Sequence, residues 1–125
     1  MPKYVLKKIN DTMDPGKEIV SSDNITLEHI IPKKPLKEYS DALEKIGIDS
    51  AEEVFKLRNM TILGEEYNRK ASNEPFENKI EMYKKSRLSI NNRLKEFGHW
   101  GLDEIKAWGD FLLERSKEAW VLYEK

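Results

Sequence analysis

The chain has 125 residues, no cysteine, 36% charged residues, a net charge of −1 and a mean hydropathy of −0.74. One domain of this length can bury a core without staples, and the missing cysteines exclude disulfides, a thiolate metal site and a thiol nucleophile. No apolar run approaches the roughly 20 residues of a membrane-spanning helix, and "MPKYVLKKIN" lacks a signal peptide's apolar stretch, as expected of a cytoplasmic protein.

The near-neutral total hides a gradient. Lys56 to Lys95 carries 10 Lys and Arg against 5 Asp and Glu, whereas Glu96 to Lys125 carries 4 against 7. A basic middle can put a positive face beside a nucleic acid, and solvated helix faces account for it equally well.

In chain order, Pro2 to Ile9 reads as a short helix or extended arm, followed by turn signals in "NDTMDPGKE". Val20 to Ile31 is strand-like, and Pro32 and Pro35 forbid further ladder pairing. Tyr39 to Ile46 reads as a helix closed by Gly47. Asp49 or Ser50 caps a second helix, with Glu53 at the capping-box position if the cap is Ser50. Asn59 to Leu63 is a second strand ended by Gly64. Glu65 to Ala71 is helical, and Pro75 to Ser86 is a helix with proline in its first turn. Leu102 to Tyr123 is the clearest helix, with Leu102, Ile105, Trp108, Leu112, Ala119 and Tyr123 at three- and four-residue steps apart from one longer gap. Trp108 and Trp120 read as core anchors.

The stretch "TLEHIIPKKP", Thr26 to Pro35, sets Glu28 beside His29, one of two histidines. An imidazole can take a proton from water near neutral pH, and a carboxylate is a hard ligand suited to Mg²⁺ or Mn²⁺. Neighbouring strand side chains point to opposite faces, so a shared site requires the strand to lose its regular geometry there, and Pro32 fits such an ending. An isolated Glu–His pair is more often a surface or hydrogen-bonded structural feature. His99 in "FGHW" reads as structural, Lys33–Lys34 as solvated charge, and Asn68 and Asn73 can be helix caps.

Together, "EHIIP", "RNMTILG", "YNRKASNEPFENK", "MYKKS", the early "YVLKKI" and the closing tryptophan helix resemble the HNH, or ββα-metal (His-Me finger), endonucleases. Within them the chain looks most like the C-terminal nuclease domain of GmrSD-type, modification-dependent restriction enzymes, along almost its whole length. The resemblance implies an α+β domain, with a small two-stranded ββα-metal core surrounded by several α-helices. One nuclease domain then fills residues 1–125: an N-terminal helix or arm over 1–20, the core with inserted helices over 22–86, and a C-terminal helix over 101–124.

It further implies metal-dependent hydrolysis of DNA phosphodiesters in a restriction or phage-defence system. His29 matches the general base. Glu28 and Asn68 match ligands of one divalent cation, Mg²⁺ or Mn²⁺. Asn59 matches the asparagine that braces the histidine's loop without touching the ion, and Lys70 and Lys79 are candidate phosphate contacts. Two positions depart from the pattern: Asn68 stands where many such enzymes have histidine, and Trp108 where a basic residue is expected. The family usually joins this domain to an N-terminal nucleotide-hydrolysing domain, so an excised domain, or a nuclease working with a partner, is expected. The rival readings are a module on the same scaffold that binds nucleic acid or a partner without cutting, and a purely structural helical domain.

Overall fold

The computed structural model describes residues 2–13, 24–71 and 74–124, the side chains of 69–71 and 120–124 excepted. The described elements run α1 (Pro2–Met13), β1 (Ile25–His29), α2 (Lys37–Lys45), α3 (Ser50–Glu53), a 3-10 turn (Leu57–Asn59), β2 (Met60–Gly64), α4 (Glu65–Ala71), α5 (Phe76–Lys85), α6 (Ile90–Leu94) and α7 (Leu102–Glu124). This is the expected α+β arrangement, with two strands among helices. None of the described helices is long and apolar enough to cross a membrane.

β1 and β2 pair antiparallel, Ile25 opposite Gly64 and His29 opposite Met60. Met60 to Leu63 are all buried, so helices cover both faces of β2. Residues directly opposite in an antiparallel pair share a face, which sorts the neighbours. On one face Thr61 donates to Asn91 Oδ1 of α6 at 2.6 Å. Asn91 Nδ2 in turn donates to the Ile62 carbonyl and to Ser86 Oγ, both at 2.9 Å. From α7, Trp108 donates its indole N–H to the Met60 carbonyl at 2.9 Å and is fully buried. Trp108 is therefore a core residue that fixes the start of β2. The side chain of Trp120 lies outside the described residues.

Most boundaries fall within two residues of expectation, and three elements differ further for reasons visible in their contacts. α1 continues to Met13 through residues that read as turn formers. Asn10 is buried there and accepts the Ile90 N–H at 2.9 Å, while Lys7 and Asp11 pair one turn apart at 2.6 Å. β1 ends at His29, and Ile30 and Ile31 are buried in a bend instead of continuing the ladder. Residues 20–23 of the expected strand lie outside the described residues. α3 is one turn long, capped by Asp49, whose Oδ1 accepts the Ala51 N–H at 3.1 Å. Glu53 is then free of capping and instead pairs with Arg58 and Lys56. Gly47, at φ 84°, closes α2 in a conformation side chains rarely adopt. Helix α6 was not signalled by the sequence: "INNRL" is short and mostly polar, and its two buried ends, Ile90 and Leu94, are too few to show a period.

Candidate active site

The end of β1 is held by two buried polar side chains. Asn59 is fully buried. Its Oδ1 accepts the Ile31 N–H at 2.8 Å, and its Nδ2 donates to the Ile31 carbonyl at 3.0 Å and to the Val54 carbonyl at 3.2 Å. Trp100, stacked on Phe76, adds its indole N–H to the same Oδ1 at 3.3 Å. One side chain thus ties the loop after His29 to the segment after α3.

The second is Lys79 of α5, which is fully buried. Its ammonium donates to the carbonyls of His29 at 3.0 Å and Ile30 at 2.9 Å, and lies 3.4 Å from Glu28 Oε2. Three acceptors match the three N–H groups of an ammonium. Lys79 therefore does not face outward to a phosphate, as expected from its motif position. It neutralises the last carbonyls of a strand that has run out of partners. The side chain of Lys70, the other expected phosphate contact, lies outside the described residues, as does Asn73.

Glu28 is 3% exposed and also accepts the Tyr83 hydroxyl at 3.1 Å. Burial pushes its carboxyl above the ordinary range, against the opposing pull of Lys79 and Tyr83. Burial likewise lowers Lys79, against Glu28. The strand keeps its ladder through His29, so Glu28 and His29 point to opposite faces and do not share a pocket. His29 is half-buried and faces the other side, edge-on to the Phe55 ring with centroids 6.3 Å apart. Its pKa is held below the usual imidazole value by burial first, then by the nearby charges of Lys33 and Lys79. A neutral imidazole is the form that can accept a proton.

Asn68 sits in the middle of α4, which removes the helix-cap reading. Its amide reaches β1, Nδ2 donating to Thr26 Oγ1 at 2.6 Å and to the Leu27 carbonyl at 3.0 Å. A carbonyl only accepts, so the amide must present its nitrogen there, which leaves Oδ1 without a partner among the described residues. Thr26 and Glu28 share a face of β1 by alternation, so Asn68 approaches the Glu28 side.

A divalent ion bound between Glu28 and Asn68 would have to share the carboxylate with Lys79. Lys79 already supplies the positive charge against Glu28, and no group of three His, Asp or Glu suited to a metal occurs among the described residues. Lys79 and Tyr83 both reach Glu28 through Oε2, so Glu28 Oε1, like Asn68 Oδ1, has no partner among the described residues.

Outside this cluster, His99 is exposed and pairs with Glu104 Oε1 at 3.1 Å, the oxygen that also accepts the Gly101 N–H at the start of α7. A cleft of about 620 Å³ opens beside it, walled by Tyr39, Leu43 and Trp100, and includes neither Glu28 nor His29. Tyr83, Trp100 and Phe55 escaped the sequence reading. Tyr83 stood within the quoted "MYKKS", but nothing in its spacing pairs it with Glu28.

The family model of the C-terminal domain of GmrSD restriction endonucleases matches residues 2–115, and no curated protein matches the chain. The match takes in β1, β2, the helices between them and the clamping residues Asn59, Lys79 and Trp100. The chain belongs to the family of GmrSD restriction endonuclease C-terminal domains.

Proposed function

We propose that this domain is an HNH-type endonuclease that hydrolyses DNA phosphodiesters with His29 as general base, as the cleaving part of a restriction or phage-defence system. The observation that supports it is the state of His29. It is half-buried, with burial lowering its pKa, at the end of a strand whose backbone is fixed by Lys79 at residues 29 and 30 and by Asn59 at residue 31. Among the described residues no carboxylate pairs with it, so the base is positioned without being engaged in an ion pair there. Water lying against the scissile phosphate passes its proton to the imidazole as its oxygen bonds to phosphorus. The bond to the 3′ oxygen breaks, and that oxygen takes a proton from solvent. Lys33, exposed and with its charge acting on His29, adds attraction for the phosphate.

A divalent cation, Mg²⁺ or Mn²⁺, belongs to the proposal as the group that offsets charge on the phosphate. Glu28 Oε1 and Asn68 Oδ1 are the oxygens on this chain that would hold it. An N-terminal nucleotide-hydrolysing domain or subunit is the proposed partner. The six glycines here form no phosphate-cradling loop, so this chain alone should neither hydrolyse GTP or ATP nor respond to them. The test is plasmid nicking with Mg²⁺ or Mn²⁺ against an EDTA control, with His29→Ala alongside. Nicking that survives both EDTA and His29→Ala overturns the reading.

A further inference from the structure

The Phe55 side chain is 66% exposed, beside a core in which its chain neighbour Val54 is 2% exposed. An aromatic ring left in water contributes little to folding, and nothing in the turn after α3 needs a phenyl group. The backbone just before it is nonetheless held in place. The Val54 carbonyl is held by Asn59 Nδ2, and the same amide holds Ile31 two residues beyond His29. One buried side chain thus sets the distance between the two loops, and the result is a phenyl ring against the edge of the candidate base. The charge of exposed Lys33 also acts on the His29 imidazole, and among the described residues no carboxylate pairs with it. An exposed aromatic ring with positive charge in its neighbourhood is a combination that holds nucleic acid by base stacking and phosphate attraction.

We infer that Phe55 is a substrate-positioning residue, stacking on the nucleobase next to the scissile phosphate and so placing that phosphate against His29. The inference rests on the nuclease reading for the identity of the substrate. It requires the contacted base to leave its own stack, so the site favours a frayed, mismatched or single-stranded nucleotide at that position over continuous duplex.

The test uses oligonucleotides carrying 2-aminopurine beside the cut position mapped for the parent protein, or at each position in turn if no cut is seen. Binding and fluorescence are measured in EDTA, cleavage in Mn²⁺, for the parent, Phe55→Ala, Phe55→Leu and Phe55→Trp. Stacking predicts affinity about 10-fold weaker for Phe55→Ala and Phe55→Leu, altered 2-aminopurine emission at one position in the parent only, and recovery of both in Phe55→Trp. The cleavage KM should rise in the first two variants more than kcat falls. Melting temperatures should stay at the parent value, since the ring is exposed. Equal binding, emission and KM across all four proteins overturns the inference and leaves the nuclease reading intact. Phe55-dependent emission without cleavage by the parent sustains the contact and removes the nuclease reading. Phe55→Leu behaving as the parent overturns stacking, because leucine keeps the apolar bulk without a ring face.

Discussion

Two adjacent residues of β1 live in opposite environments. Glu28 faces α5 and is closed in with Lys79 and Tyr83, while His29 faces Phe55 and water. On the inner side every charge has a partner, and that side fixes backbone. On the outer side the imidazole is left free to exchange a proton. A strand's alternation can thus separate architecture from chemistry within two residues. Inner substitutions should then appear in stability, and outer ones in rate.

The largest effect is expected on the outer side. His29→Ala should lower the cleavage rate by about 10²–10⁴-fold, the usual contribution of a positioned base, while the melting temperature changes little. Parallel losses of folding and activity would mean that His29 belongs to the architecture as well.

On the inner side, Lys79→Met should destabilise the domain by about 3–5 kcal/mol, because it leaves a buried carboxylate unpaired. Chemical denaturation measures it. The double variant with Glu28→Gln should recover part of that loss, since two neutral groups leave no uncompensated charge. If Lys79→Met melts like the parent yet loses DNA affinity, the ammonium faces substrate after all.

Asn68 lies between the two regimes. Asn68→Ala removes two hydrogen bonds from α4 to β1, an expected loss of about 1–3 kcal/mol. Asn68→Asp should be worse for the fold than alanine at neutral pH, although it adds an oxygen. Its carboxylate would face the Leu27 carbonyl, which can only accept. Thermal melts beside a Mn²⁺ titration separate the two roles, and an aspartate variant as stable as the parent would show that the amide does not make this contact.

Much of the fold was legible because it is local. Gly47, the α4 boundaries and the α7 stripe from Ile105 to Ala119 follow from turn chemistry and periodicity, and all appear as read. The residues that assemble the site were less legible, because their partners are remote in sequence. Asn10 looks like a turn former, and only the Ile90 N–H, 80 residues away, explains why it stays helical. Lys79 looks like a surface cation of a basic segment, until α5 places it 50 residues downstream against the His29 carbonyl. A motif can pick out Glu28 and His29, but the ladder register decides which way each points. Phe55 carries no signal at all, since exposed phenylalanines are common and its significance lies in the distance to His29.

The smallest expected effect is in pH, and its sign differs between the two sides. His29 has a folded pKa below its ordinary 6.5, so the unfolded chain binds the proton more readily. Its contribution to stability is present above about pH 6.5 and is lost as pH falls through the folded value. Glu28 is shifted upward from 4.5, so the folded state holds its proton more tightly. Its contribution is greatest below about pH 4.5 and declines as pH rises through the folded value. The two slopes oppose each other and partly offset in the melting curve. Cleavage reports His29 alone, because only the neutral imidazole accepts a proton. The acid limb of kcat/KM should therefore fall at a pH below 6.5, and it should move upward in Phe55→Ala, where loss of the phenyl edge rehydrates the imidazole and relieves the burial that lowers its pKa. An acid limb above 6.5 in the parent, or one that does not move in Phe55→Ala, would place the titrating base elsewhere and dissolve the contrast between the two faces of β1.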